Sequence, residues 1–182
     1  MASITIHLAA ANEYLKHHPE ENRDDFLAGT IAPDYVPESM VTHHSKKNMR
    51  DNARTFIEGK IVLADCLSDF DINTSYGRGY FLHLLLDDEF YKLLKKDSTD
   101  YIDLSYRDYK DIIYADYNKV NHYFKTNYDV VFFGKTKEYD IDEPGTPLLI
   151  NINNLSKVIE KLSKLDLKKT FTEINRAKTP QR

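Results

Sequence analysis

The chain has 182 residues, a length that suits one domain with a single hydrophobic core. Its formal net charge of -4 is not the signature of a protein that binds nucleic acid or an anionic membrane. The single cysteine, Cys66, excludes an intramolecular disulfide framework, and its apolar neighbours in "IVLADCL" predict that it is buried.

The first residues, "MASITIHLAAANEYL", lack the basic region and the long apolar run of a secretory signal peptide. No segment of the sequence has the roughly 18 consecutive apolar residues that a transmembrane helix needs. We therefore expect a protein without a membrane-spanning segment, located in the cytoplasm.

The first third of the chain predicts two helices and an irregular segment. Residues 6–18 contain good helix formers, and Pro19 ends the run. A short helix is predicted around "NRDDFLAG", with Asn22 as its N-cap and Gly29 at its end. Residues 30–45 carry two prolines and no helical period, which predicts an irregular segment.

The middle of the chain predicts three further helices. Residues 48–67 have apolar side chains on one side, and residues 77–95 are apolar nearly all the way round, which is typical of a central helix. Residues 104–126 predict a long helix rich in tyrosine. An irregular connection is expected near residues 127–150, where "DVVFF" is compatible with a short strand that has no evident partner.

The C-terminal part returns to a helical pattern. Asn153 or Asn154 is expected to cap a helix that runs to about Leu165, and a last short helix is predicted after Leu167. Taken together, residues 1–182 predict an all-α fold, a single-domain helical bundle of about six to seven helices.

The segment "GYFLHLLLDDEFY", residues 79–91, places two polar side chains inside an apolar helix. His83 and Asp87 are four residues apart, so a helix brings them to one face. A charged carboxylate in such surroundings is costly unless it is paired. Three arrangements compensate for this cost: a His–Asp hydrogen bond, a salt bridge to Arg or Lys, or a metal ion.

Further nitrogen and oxygen ligands are available to complete a metal site: His7, Asp34, His43 and His44. Imidazole and carboxylate ligands suit Zn, Mn or Fe. Adjacent side chains in an extended loop point apart, so only one of the two loop histidines is expected to bind. Each candidate also has an ordinary interpretation. His7 can be an exposed or capping residue, Asp34 a turn element after Pro33, and the loop histidines surface residues.

Taken in order, the pieces "SITIHLAAANEYL", "FLAGTIAPDYVPE", "THHS" and "GYFLHLLLDDEFY" resemble the zinc-dependent phospholipase C family. They match a His opening the first helix, a G-x-x-A-x-D-Y loop, a Thr/Ser-His step and H-x-x-x-D on a central helix, over roughly residues 3–91. The resemblance implies an all-α fold that binds up to three zinc ions in a cleft. It also implies cleavage of the phosphodiester bond on the glycerol side of a phospholipid head group; relatives with the same ligands cleave nucleic acids.

The motifs also imply roles for single residues. One metal ion would be surrounded by Asp34, His43 or His44, His83 and Asp87. Asp87 would bind a second ion together with His7. Asp34 would act as the general base or would orient the attacking water.

The chain departs from the family pattern at the third metal site. A further His is expected six residues after the helix Asp, where this chain has Leu93, and His122 is followed four residues later by Thr126 instead of Glu. The secreted members begin, after processing, with a Trp whose amino group binds metal, and this chain contains no Trp. We therefore expect one or two ions, of Zn or alternatively of Mn or Fe.

These residues predict a metal-dependent hydrolase of phosphoric esters, a phospholipase C-like phosphodiesterase with metal-activated water as the nucleophile. The expected substrate is a small-molecule or lipid phosphoester, and Arg78 and Lys46 or Lys47 are candidate phosphate contacts. The alternative is a non-catalytic helical protein, metal-stabilised or metal-free, that acts through its surface. An HD-type phosphohydrolase ranks last because the sequence has no adjacent His-Asp pair. The sequence predicts no oligomeric state.

Overall fold

Helices account for all the regular secondary structure in the described part of the chain. The structure, a computed structural model, describes residues 2–35, 63–97, 106–130 and 141–178, and these ranges contain no strand. The prediction of an all-α bundle of six to seven helices is confirmed there. The helices are α1 (Ile4–His17), α2 (Arg23–Tyr35), α3 (Leu63–Cys66), α4 (Ser75–Asp97), α5 (Tyr106–Asn127), α6 (Ile152–Ser163) and α7 (Leu167–Lys178).

Helix α1 begins two residues before the predicted start because Ser3 caps it. The Ser3 backbone is extended, and its side-chain oxygen accepts the N–H of Ile6 at 3.3 Å. The helix ends at His17, and Pro19 follows directly after the C-cap His18, as the sequence predicts. The residue before a proline disfavours the helical region, and His18 accordingly lies outside it.

The predicted end of α2 is wrong. The helix begins after Asn22, whose side chain accepts the N–H of Asp25 at 3.0 Å, as predicted. It then continues past Gly29 to Tyr35 and contains Pro33. A proline inside a helix removes one N–H donor, which is why the sequence favours a stop here. Packing of this helix against α4 outweighs that local loss.

Two glycines explain how closely α2 and α4 pack. A Cβ atom on Gly29 would collide with the backbone oxygen of Tyr76, and a Cβ atom on Gly79 would collide with the backbone oxygen of Phe26. Glycine at both positions therefore lets the two backbones touch. Because of this contact, the second half of α2 lies against the buried middle of α4, where the candidate ligands are.

Several predicted elements differ from the structure beyond α2. Of the helix predicted over residues 48–67, the structure describes only the end, as α3. The last residue of α3, Cys66, is buried as predicted, and burial raises the pKa of its thiol to about 12. Helix α6 is capped by Asn151, which accepts the N–H of Asn154, so neither predicted cap residue is right. The described parts of the 127–150 connection contain no strand.

A buried carboxylate ties the connection after α5 to the bundle. Both oxygens of Asp116, which is fully buried on α5, accept backbone N–H groups. Oδ1 accepts from Leu148 at 2.7 Å, and Oδ2 accepts from Leu149 at 2.5 Å and Ile150 at 3.0 Å. These three bonds satisfy the charge locally and hold the chain for its entry into α6.

The last two helices pack on different neighbours and share the central helix α4. Helix α6 packs on α1 and α4 through an apolar face and leaves its lysines outward. Helix α7 packs on α3 and α4, with Phe171 edge-on to Phe70 and Phe81. None of the helices described combines the length and the apolar character needed to cross a bilayer.

Candidate metal centre

Three helices bring candidate ligands to one buried place. His7 comes from α1, Asp34 from the last turn of α2, and His83 and Asp87 from the middle of α4. The side chains of His83 and Asp87 have no exposed surface, and that of His7 is 1% exposed. The interpretation of His7 as an exposed residue is therefore wrong, and Asp34 belongs to a helix instead of a turn.

The carboxylate of Asp87 faces the Nε2 atoms of both imidazole rings. Its Oδ1 is 3.2 Å from Nε2 of His7, and its Oδ2 is 3.3 Å from Nε2 of His83. Oδ1 also accepts the backbone N–H of Ala2 at 2.8 Å. The two rings stack with their centroids 3.6 Å apart and their planes 7° apart. Each ring thus directs Nε2 toward the same carboxylate.

The hydrogen bond at Nδ1 defines the protonation of His83. Nδ1 is 2.7 Å from the carbonyl oxygen of Thr30, which can only accept, so Nδ1 carries a hydrogen. In the neutral ring Nε2 then holds a lone pair, yet it faces oxygens of Asp87 and Asp34, the latter at 3.8 Å. A lone pair directed at carboxylates needs a proton or a metal cation between them. A metal-binding His is typically oriented by such a bond at its other nitrogen.

His7, unlike His83, has no hydrogen bond from the described residues that orients its ring. Both of its ring nitrogens are buried and make no hydrogen bond within the part of the chain that the structure describes. Nε2 is close to Asp87 but without the geometry of a hydrogen bond. A buried polar atom left without a partner costs about 1–3 kcal/mol. A cation bound at Nε2 would remove that cost for one of the two nitrogens.

The two rings differ in basicity. Burial lowers the pKa of His7, and the neighbouring charge of His83 lowers it further. Burial also lowers the pKa of His83, but the carboxylates of Asp87 and Asp34 outweigh it, so the net pKa is raised. His83 is therefore the more basic ring of the stacked pair.

The donor set is suited to a metal ion. His7, His83 and Asp87 each offer one ligand atom, and these atoms all lie within 4.8 Å of one another. Two imidazole nitrogens and a carboxylate oxygen form a set that Zn, Mn and Fe accept. This buried triad, which we name the metal centre, can hold a metal ion.

The remaining predicted ligands have different outcomes. Asp34 lies at the edge of the metal centre, beside His83, with a side chain that is 9% exposed. His43 and His44 lie outside the described residues, as do the two lysines considered as phosphate contacts.

Arg78 is bound within the protein. Its Nε and Nη2 donate to the carboxylate of Glu21 at 2.5 and 2.7 Å, and its Nη1 donates to the carbonyl of Ile72 at 3.0 Å. Hydrogen bonds to Glu21 raise the pKa of Arg78. The arginine joins the start of α4 to the chain before α2. The structure thus gives it a structural role in place of the predicted phosphate contact.

Several contributors to the centre were missed from the sequence. The carbonyl of Thr30 and the N–H of Ala2 are backbone groups, which leave no signal in a side-chain pattern. Asn121 on α5 contacts Ser3 at the start of α1. The complete burial of Asn121, which marks it as a polar residue that needs a partner, is visible only in the structure.

Comparisons of the chain with protein-family models, curated proteins and solved structures return no match. The resemblance to the zinc-dependent phospholipase C family therefore depends on the four sequence motifs. Function is inferred below from the geometry of the metal centre.

Proposed function

We propose that the protein is a metal-dependent hydrolase of phosphoric esters, a phosphodiesterase similar to zinc-dependent phospholipase C. One observation carries the proposal: Nδ1 of His83 is bound to a carbonyl, so its Nε2 faces the carboxylates of Asp87 and Asp34. Beside it lies a second buried imidazole, that of His7, whose ring makes no hydrogen bond to the described residues. This arrangement is electrostatically incomplete without a proton or a cation. Its donor set supports zinc, with Mn and Fe as alternatives.

The described residues supply three ligands for one ion. Catalytic zinc sites commonly use three protein ligands and keep a fourth position for water. A bound ion lowers the pKa of its water to about 7 and polarises a phosphoryl oxygen. His43 and His44 are the remaining candidates for completing this ion's coordination or for binding a second ion.

Asp34 is the proposed general base. Its Oδ1 is 3.8 Å from Nε2 of His83, so it lies beside the ligands without joining the three-residue group. It is also the most accessible of the four side chains, at 9%. A carboxylate at this position can accept a proton from water or orient that water for attack.

An apolar groove along α1 and α2 supports a substrate with an apolar part. The groove has a volume of about 270 Å³ and is lined by Ile4, Leu8, Leu27, Ile31 and Tyr35, among others. His7 lies between the first two of these residues in the sequence, and Asp34 lies between the last two. We propose that the groove holds the apolar group of a phosphoester.

The first test measures metal content and hydrolysis together. Purified protein should carry about one equivalent of zinc and should cleave bis-p-nitrophenyl phosphate, with activity lost on chelation and restored by zinc. His83→Ala should lose the metal. Asp34→Asn should keep the metal and lose hydrolysis.

The matched control for this test is His122→Ala. His122 is on α5, where Nδ1 contacts the exposed carboxylate of Asp142 at 2.7 Å. This variant removes an imidazole next to an Asp outside the metal centre, so zinc content and hydrolysis should stay as in the wild type. A wild-type protein that binds no divalent metal would contradict the proposal.

A non-catalytic, metal-stabilised protein is the second candidate, and the burial of the ligands favours it. The side chains of His83 and Asp87 are 0% exposed, and a structural ion is typically enclosed in this way. In that case the metal-loaded protein would not cleave a broad panel of phosphoesters, while chelation would still lower its unfolding temperature.

A further inference from the structure

Helix α5 reaches the start of α1 through one buried amide. Asn121 has no exposed surface, and its Oδ1 accepts the hydroxyl hydrogen of Ser3 at 2.6 Å. No residue of α5 belongs to the three-residue metal centre. This hydrogen bond is nevertheless one residue away from the backbone group that contacts Asp87.

Ser3 connects the turn that carries His7 to the backbone N–H that contacts Asp87. The carbonyl of Ser3 accepts the backbone N–H of His7 at 3.1 Å, and its hydroxyl oxygen accepts the N–H of Ile6. The preceding residue, Ala2, donates its N–H to Oδ1 of Asp87 at 2.8 Å. Ser3 thus lies between the turn that carries one ligand and the N–H that orients another.

The Ser3 hydroxyl caps α1 best when its own hydrogen is donated to another acceptor. A hydroxyl has one hydrogen and two lone pairs. When the hydrogen is donated to Asn121, the lone pairs are left to accept the N–H of Ile6, as an N-cap requires. Asn121 is fully buried, so its side chain is fixed in place as this acceptor.

We propose that Asn121 is a positioning residue for the metal centre. Through the hydroxyl of Ser3 it holds the first turn of α1, and with it the direction of His7 and of the Ala2 N–H toward Asp87. The proposal rests on the metal binding proposed above. It assigns to α5 a function at a site to which this helix supplies no ligand among the described residues.

Asn12 provides a matched control for a merely structural role. It is also a buried asparagine, 6% exposed, and its amide donates to the carbonyl of Asp129 at 2.7 Å. Its Oδ1 accepts a hydrogen bond from Arg23. Replacing Asn12 removes a buried side-chain amide of the same kind, more than one helical turn beyond His7.

The test is a zinc titration against a competing chelator, with unfolding by urea measured on the same samples. Asn121→Ala and Ser3→Ala should weaken zinc binding by about tenfold to a hundredfold, as changes to the residues that orient metal ligands do. Ser3→Thr keeps the hydroxyl and should bind zinc nearly as the wild type does. Asn12→Ala should lose stability and keep the wild-type zinc affinity.

The outcomes separate this proposal from the one on which it rests. Wild-type protein that binds no zinc would overturn both. If the wild type binds zinc and Ser3→Ala binds it equally well, only the role of Asn121 is overturned. The same holds if Asn12→Ala weakens zinc binding as much as Asn121→Ala does. If Asn121→Ala does not fold, the zinc affinities of Ser3→Ala and Ser3→Thr, at a half-buried position, test the proposal instead.

Discussion

Two buried carboxylates in this protein have opposite surroundings. Asp116 accepts three backbone N–H groups, which are neutral, fixed in place and unable to exchange their hydrogens for a metal. Asp87 faces the Nε2 atoms of His7 and His83, which can each release a proton and bind a cation. Burial of a charge alone therefore does not mark a functional site. The chemistry of the groups that face the charge distinguishes a structural carboxylate from a candidate metal ligand.

The largest expected effect on stability is at the structural carboxylate. Asp116→Asn puts an NH₂ group against backbone donors, which leaves buried N–H groups without an acceptor. We expect the free energy of unfolding to fall by about 3 kcal/mol. Urea denaturation measures this, and zinc content should not change. A loss of zinc in the folded variant would show that the two carboxylates are not independent.

The Asp-to-Asn substitution at Asp87 should abolish zinc binding, which Asp116→Asn should leave unchanged. Asp87→Asn removes the charge that attracts a cation, so zinc binding should be lost. Zinc at a hundredfold above its Kd stabilises a protein by about 2.7 kcal/mol, and this stabilisation should disappear in the variant. Thermal unfolding with and without a chelator measures it. A variant that is still stabilised by zinc would place the metal elsewhere.

Acidification should release the metal. Zinc binding requires Nε2 of His83 without its proton, and the carboxylates of Asp87 and Asp34 raise the pKa of this ring above its ordinary 6.5. As the pH falls through that raised pKa, protons compete for Nε2, and zinc affinity should decline by about tenfold per pH unit. Zinc titrations across this range measure the decline. Affinity that does not change with pH would exclude His83 as a ligand.

The smallest expected effect is at the exposed His–Asp pair. His122 and Asp142 are 2.7 Å apart, with side chains 46% and 42% exposed. Solvent screens such a pair, so His122→Ala should change the free energy of unfolding by less than about 1 kcal/mol. Urea denaturation and zinc titration of the variant should both match the wild type. A large loss of stability would mean that this exposed pair contributes as much to the free energy of unfolding as a buried carboxylate does.

The sequence predicted the local features of the candidate site better than its surroundings. The four-residue spacing of His83 and Asp87 on an apolar helix was sufficient to predict a shared face, because helix geometry is local. The cap at Asn22 and the stop before Pro19 follow from equally local rules.

The errors arose where tertiary contacts outweighed local preference. Gly29 was predicted to end α2, but it allows contact with the backbone of Tyr76, and the helix continues through Pro33. Arg78 was predicted to contact phosphate because its charge is visible in the sequence. Its partner, Glu21, is 57 residues away in the chain, so the ion pair is visible only in the fold.

By itself, the sequence determined an all-α protein with an imidazole and a carboxylate on one face of its central helix. Helix period, caps and proline stops depend on residues a few positions apart, so they can be read directly. Only the tertiary structure decided that His7 stacks on His83, that Thr30 orients His83, and that Asp87 faces the Nε2 atoms of both rings. These contacts depend on how closely three helices pack, and two glycines and a buried backbone N–H contribute to that packing.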